Sequence, residues 1–155
     1  MGRGTRAARP QVCYDAVPAR GVARAAAIRM DSSKHNRLFQ QGLEAFNSRH
    51  FFEAHEHWEE VWLETPNPEK KFLQGLIQVA AAFHHHSRAN DLGCRKLLRG
   101  GLLKLDLCPE EFRGIAIEPL RASVRRLLAV LEAGENPDQE EIPRIQSAKC
   151  GQSST

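Results

Sequence analysis

The sequence has no long hydrophobic run. In its 155 residues, no stretch approaches the roughly 18 consecutive apolar residues that a membrane-spanning helix needs. It also has no Gly-rich phosphate-binding loop and no nucleophile elbow of the Gly-x-Ser-x-Gly type. Its hydrophobic fraction of 41% and its charged fraction of 26% are typical of one globular domain. These features predict a small soluble domain and name no reaction.

Cysteines are few, and their spacing does not fit a zinc knuckle. The four cysteines are Cys13, Cys94, Cys108 and Cys150, and no two of them form a Cys-x-x-Cys pair. We therefore expect neither a disulfide framework nor a zinc knuckle. Free thiols fit a reducing compartment inside the cell, so the sequence predicts a cytoplasmic protein.

Acidic residues are nearly missing from the first 30 residues, which hold six arginines and one aspartate. Residues 31–155 hold 16 basic and 18 acidic side chains, so we expect no nucleic acid and no membrane as a partner. Residues 1–32 are predicted to be a disordered Arg- and Ala-rich segment. Three interpretations stay open: an organelle transit peptide leading to a plastid or other stroma, a basic arm, or a true translation start at Met30 instead of Met1.

Strand-like alternation of apolar and polar residues is absent, whereas helical periodicity recurs along the middle of the chain. Start and stop signals divide residues 33–134 into about five helices. The sequence therefore predicts an all-α fold, a compact bundle built from antiparallel helical hairpins. Residues 135–155 are polar, contain Pro137 and Pro143, and are predicted to form a flexible tail.

A spacing in the first hairpin is similar to that of a tetratricopeptide repeat. Gly42, Phe51, Ala54, Trp58 and Pro66 lie at offsets 0, 9, 12, 16 and 24. The next hairpin does not keep this register, so we expect stacked hairpins and not a true repeat array. A helical protein-interaction module nevertheless follows as one hypothesis for the function.

The second predicted helix brings three unusual residues to one edge. His55, Glu59 and Trp62 are spaced i, i+4 and i+7, so their side chains share a face. A neighbouring carboxylate is expected to favour imidazolium and to raise the pKa of His55. The pair could be catalytic, as a general base and its orienter, or could provide two ligands of one divalent metal ion. The alternative is a partly buried histidine that Glu59 satisfies in a helix interface.

The third predicted helix is apolar almost all round, which is typical of a central, buried helix. Its polar exceptions Gln74, Gln78 and His85 lie close to one line. This line either completes a polar pocket opposite His55 and Glu59 or faces water. In the His84-His85-His86 tract, successive side chains point about 100° apart, so at most one or two of them can serve one site.

These residues resemble a known family, and the resemblance covers about residues 35–107. It is carried by the stretches Phe46-Asn47, Phe52-Glu53-Ala54-His55-Glu56, Glu59-x-x-Trp62, Phe72-Leu73-Gln74-Gly75-Leu76-Ile77-Gln78, Ala80-Ala81-Ala82-x-His84-His85, Asn90, Gly93 and Leu97-Leu98. The family is called domain of unknown function 309 and is marked by the motif His-x-x-x-Glu-x-x-Trp. The resemblance implies a small all-helical protein of a kind found in bacteria, archaea and plastid-bearing organisms. It implies no established activity.

We predict a polar pocket between the second and third helices that binds a small ligand or a divalent metal ion and could be catalytic. The predicted catalytic pair is His55 and Glu59, and Trp62, Gln74 and Gln78 are predicted to contact the ligand. The candidate metal ligands are His55, Glu59, His84 and His85. The competing hypothesis is the interaction module, in which these side chains are structural and a protein is the partner. A homodimer formed through the Phe- and Trp-rich second helix is a third possibility.

Overall fold

The computed structural model of the chain describes residues 32–148. Five α-helices dominate this part: α1 (Ser32–Asn47), α2 (Phe51–Leu63), α3 (Glu69–Ser87), α4 (Asp91–Leu105) and α5 (Ile117–Glu132). Each helix packs against the next along the chain, so the predicted all-α bundle of about five helices is confirmed. Among the described residues, no helix combines the length and the apolar character that crossing a membrane would require.

The first hairpin closes around Trp58 of α2. Its indole is completely buried, and Nε1 donates a hydrogen bond of 3.2 Å to the backbone oxygen of Phe39 on α1. A Cβ atom at Gly42 would collide with this indole, so the absence of a side chain there allows α1 and α2 to approach closely. The Phe46 ring lies 5.9 Å from the Trp58 ring and completes the contact.

Helix α3 is central, as its apolar composition suggests. Its buried residues include Leu73, Leu76 and Ile77, and it packs between α2 and α4. The approach to α4 is close, because a Cβ atom added at Gly101 would lie 3.0 Å from the carbonyl oxygen of Gly75. Two glycines facing each other thus bring the backbones of α3 and α4 together.

A small β-hairpin between α4 and α5 was not predicted. Strands β1 (Glu111–Phe112) and β2 (Ile115–Ala116) pair antiparallel around a turn in which Arg113 and Gly114 have positive φ angles of 51° and 83°. Strands of two residues are too short to show an alternating pattern, so the sequence carries no periodic signal for them.

The described part of the predicted tail packs against the helices. Ile142 and Ile145 are buried, and the Asn47 amide at the end of α1 both donates to and accepts from the Ile145 backbone. The Arg49 guanidinium donates to the backbone oxygen of Ile142 at 3.0 Å. The packed region thus extends beyond residue 134, because two isoleucines in a polar stretch suffice to anchor it.

Some predictions fall on residues that the structure does not describe. The predicted N-terminal segment, with Met30 and Cys13, lies outside the described residues except for Ser32, and so does the end of the tail from residue 149, with Cys150. Cys94 and Cys108 are described, free and buried. Burial raises the pKa of Cys94 to about 12 and that of Cys108 to about 11, so both thiols stay protonated near neutral pH.

Candidate functional site

His55 and Glu59 lie one turn apart on α2, and both are only partly accessible. Their side chains are 15% and 29% exposed, and His55 Nε2 lies 3.5 Å from Glu59 Oε1. A charge-assisted N–H···O bond is about 2.7–2.9 Å long, so this contact is a loose one. The structure thus brings the two predicted residues together without locking them to each other.

Burial controls the protonation of this pair. Together with a smaller effect of the neighbouring His84, it lowers the pKa of His55 from 6.5 to about 4. It also raises the pKa of Glu59, with an added contribution from Glu56. The expectation that the carboxylate would raise the pKa of His55 is therefore wrong, since removing the imidazole from water outweighs the attraction of a carboxylate 3.5 Å away. At neutral pH the imidazole is neutral and keeps a hydrogen-bond acceptor.

An exposed aromatic ring connects His55 to α3. Phe52 is 48% exposed, and its ring stacks on the imidazole of His55 with centroids 5.8 Å apart and an interplanar angle of 20°. The same Phe52 ring also contacts α3, because its centroid lies 5.2 Å from that of the His84 imidazole. Burial, Arg88 and His85 together lower the pKa of His84. Two imidazoles that favour the neutral form therefore border one accessible phenyl ring.

The remaining histidines of the tract contact the turn between α3 and α4. The Asn90 amide donates to His85 Nδ1 at 3.0 Å, and His86 Nδ1 lies 3.3 Å from Asp91 Oδ1. Of the predicted metal ligands, His55 thus lies near Glu59 and near His84, while His85 is engaged by Asn90. Within residues 32–148, no three His, Cys, Asp or Glu side chains are grouped so that they could hold a metal ion.

Trp62 lies one turn beyond Glu59 and is buried. Lys70 covers it, with Nζ 4.2 Å from the ring centroid and 2.8 Å from the backbone oxygen of Trp62. Burial lowers the pKa of Lys70. The indole Nε1 is buried and has no hydrogen-bond partner among the described residues.

Gln78 lies against α4. A Cβ atom at Gly100 would be 3.3 Å from both polar atoms of the Gln78 amide, and Gln78 Oε1 is buried with no hydrogen-bond partner in the described part of the chain. Gln74 lies one turn earlier on α3 and is partly buried. The prediction that these two amides share one pocket with His55 stays a prediction.

A second His–Glu pair escaped the sequence analysis. His35 on α1 is 3% exposed, and its Nε2 lies 2.7 Å from Oε1 of Glu64, the residue that follows α2. The two residues are 29 positions apart, so no helical periodicity relates them. Only the packing of α1 on α2 reveals the pair.

Comparison with known proteins gives a family and no activity. Residues 39–97 match the family model described as "Domain of unknown function (DUF309)". The chain is 35% identical over 107 residues to an "Uncharacterized protein" of Aquifex aeolicus (strain VF5), a match that covers 68% of this chain and 32% of that protein. It is 36% identical over 87 residues to "Uncharacterized protein YpuF" of Bacillus subtilis (strain 168), covering 56% of this chain and 47% of that one.

The chain thus spans less than half of the length of either of these curated relatives. The matched segment contains α2 and α3, and hence the motif residues His55, Glu59 and Trp62. The resemblance drawn from the sequence is confirmed: residues 39–97 of the chain match the model of the family called domain of unknown function 309.

Proposed function

We propose that a surface formed by Phe52, His55, Glu59 and His84, the His55 face, binds a small organic ligand that donates a hydrogen bond. His55 accepts this bond, and in a reaction it is the group that takes up a proton. The observation that carries the proposal is the state of the His55–Glu59 pair. Both groups are desolvated enough to shift their pKa values in opposite directions, yet neither is closed off from solvent.

Placing an imidazole and a carboxylate side by side in a partly buried position costs free energy. The 3.5 Å between the two side chains is longer than a strong hydrogen bond. Titratable groups whose pKa values are displaced by desolvation cluster at binding and catalytic sites. A ligand donor that reaches the neutral His55 would add a hydrogen bond at this face.

The neighbouring groups suit an aromatic ligand. The exposed Phe52 ring offers a stacking surface beside both imidazoles. One turn from Glu59, the Trp62 indole has a buried N–H with no acceptor among the described residues. A planar ligand with one N–H or O–H donor would therefore find a stacking ring and an acceptor, with Trp62 as an apolar wall.

A divalent metal ion is a weaker candidate for the same face. Neutral imidazoles and a carboxylate are suitable ligand types. Residues 32–148 nevertheless hold no group of three such side chains in a suitable arrangement. A metal would therefore need further ligands from solvent or from the organic ligand itself.

The second candidate function is protein docking, and the exposure of Phe52 favours it. A ring that is 48% exposed between two histidines is a natural anchor for a partner chain. In this case the loss of Phe52 would abolish binding, whereas the loss of the His55 acceptor would matter little.

The test is a titration of the full chain with phenol, followed by the ring resonances of His55 in NMR spectra. Phenol combines a stacking ring with an O–H donor, and anisole has the same ring without the donor. We expect saturable His55 shifts with phenol, weaker shifts with anisole, and equal weak binding of both to His55→Phe. Equal responses to phenol and anisole in the wild type would overturn the proposal.

Elemental analysis separates the metal hypothesis from the organic one. The untagged wild-type protein is compared with Glu59→Ala, in which one candidate ligand is removed. Stoichiometric metal in the wild type that is lost in the variant would replace the organic ligand by a metal site. Metal-free protein in both samples would leave the phenol result to decide.

A further inference from the structure

The exposed large apolar side chains of this protein lie on or beside two helices. In the part of the chain that the structure describes, there are five of them. Phe52 and Leu63 lie near the two ends of α2, Leu92 and Leu103 lie near the two ends of α4, and Leu107 follows shortly after α4. Single exposed apolar residues are ordinary, whereas grouped ones mark interaction surfaces. The outer sides of α2 and α4 are therefore candidate surfaces of this kind.

The two helices repeat one spacing, in which two exposed apolar residues enclose an exposed charged residue at offsets 0, 4 and 11. These residues are Phe52, Glu56 and Leu63, the α2 face, and Leu92, Lys96 and Leu103, the α4 face. At about 100° per residue, the members of each set lie within about 40° of one edge of their helix. The apolar residues are thus separated by the same distance, about 16 Å along the helix axis, on both faces.

The two faces carry opposite charge. Helix α2 contains four glutamates and no lysine or arginine, whereas α4 contains four lysines and arginines and one aspartate. Within residues 32–148, no ion pair engages the carboxylate of Glu56 or the ammonium group of Lys96. Opposite charges at matching positions favour the association of two surfaces and fix their register.

We propose that the α2 face of one copy of this chain docks on the α4 face of a second copy. With the two helices side by side and parallel, the equal spacing lets the apolar residues at both ends meet. Glu56 of one copy then lies opposite Lys96 of the other. Two copies of the same face would instead bring like charges together, so the contact is head-to-tail.

The contact is expected to be weak, because it joins one face of a single helix in each copy. Small interfaces of this kind are typical of transient complexes. The paired charges remain close to solvent, so salt screens their attraction. We therefore expect association that rises with chain concentration and falls as salt is added.

This inference goes beyond the proposed function and can fail separately from it. Phe52 belongs to both the α2 face and the His55 face, whereas the α4 face shares no residue with the His55 face. A substitution at Lys96 therefore removes docking without altering the groups that are proposed to bind phenol. A phenol response that persists in Lys96→Glu would leave the ligand proposal standing whatever the outcome for docking.

The test measures the mass of the full chain in solution by light scattering, from micromolar to millimolar concentration at low salt. We expect the wild-type mass to rise above that of one chain. Lys96→Glu makes both faces acidic, and Glu56→Lys makes both faces basic, so each should weaken association at least about tenfold. An equimolar mixture of the two variants should associate again, because every contact between unlike chains then joins opposite charges.

The matched control is Arg126→Glu, which makes the same change of charge on α5, at an exposed residue outside both faces. We expect it to associate as the wild type does. Leu103→Ser should weaken association without a change of charge, and circular dichroism should show that all variants keep their helices. A wild-type chain that stays single up to millimolar concentration would overturn the proposal. So would a mixture of the two charge variants that associates no better than either alone, or an equal loss in Arg126→Glu.

Discussion

Two of the His–Glu pairs in the described part of the chain, His55–Glu59 and His35–Glu64, differ in geometry and burial. The pair His55–Glu59 lies within one helix, is separated by 3.5 Å and stays partly open to solvent. The pair His35–Glu64 joins two helices, is separated by 2.7 Å and has a histidine that is 3% exposed. The tight pair contributes to the packing of α1 on α2, whereas the loose pair lies within α2 and stays partly accessible.

The partly buried His55 makes the free energy of unfolding depend on pH. Because burial lowers the pKa of His55 to about 4, the unfolded chain binds a proton there below about pH 6.5 while the folded chain does not. Stability from this group is therefore complete above pH 6.5 and is lost as the pH falls toward 4, by about 3 kcal/mol in total. Urea unfolding at several pH values should show this loss in the wild type and a smaller one in His55→Phe.

Glu59 acts in the opposite direction and supplies the control. Its pKa is raised in the folded state, so protonation of this carboxyl favours the fold as the pH falls. In Glu59→Gln the loss of stability between pH 6.5 and 4 should consequently be steeper than in the wild type. Identical pH profiles for the wild type and His55→Phe would show that His55 is not desolvated in solution.

The next largest effect is expected at the tight pair. Glu64→Ala leaves the buried Nε2–H of His35 without its acceptor, which should lower the free energy of unfolding by about 1–3 kcal/mol. The matched control is Glu60→Ala, an exposed carboxylate one turn earlier, for which we expect a change within about 0.5 kcal/mol. Equal small effects in urea unfolding would mean that the His35 contact does not hold α1 on α2.

The pair His55–Glu59 could be predicted from the sequence and the pair His35–Glu64 could not, for a physical reason. His55 and Glu59 are four residues apart, and helical geometry alone makes them neighbours. His35 and Glu64 are 29 residues apart and meet only through the packing of two helices, which no local pattern encodes. Helix positions were predictable because each apolar stripe repeats along a helix.

The state of His55 was also beyond a reading of the sequence. The sign of its pKa shift depends on how much water the neighbouring groups exclude, and one of these, His84 on α3, approaches His55 only in the folded hairpin. The β-hairpin and the anchoring of Ile142 and Ile145 were missed because such short segments show no period. Local pattern thus predicts elements, while solvation and contacts between elements need the tertiary structure.

A substitution at Phe52 changes the solvation of His55 without altering His55 or Glu59. Phe52→Ala removes the stacked ring, so the pKa of His55 should rise from about 4 toward 6.5 as water reaches the imidazole. The cost in stability should stay below about 1 kcal/mol, because the ring is half-exposed. An NMR titration of His55 measures the shift, with Leu63→Ala as the control for loss of an exposed apolar side chain on α2. An unmoved pKa would assign the desolvation to α3 alone.

The smallest effect is expected for Glu59→Gln at neutral pH, and it bears most directly on function. With His55 neutral and 3.5 Å away, little ion-pair energy exists to be lost, so the free energy of unfolding should change by no more than about 0.5 kcal/mol. Urea unfolding of Glu59→Gln and Glu64→Ala in one experiment compares the two losses of stability directly. A loss comparable to that of Glu64→Ala would make Glu59 a structural partner of His55. The loose pair would then serve the helix interface, and the protein-docking hypothesis would take the place of the ligand site.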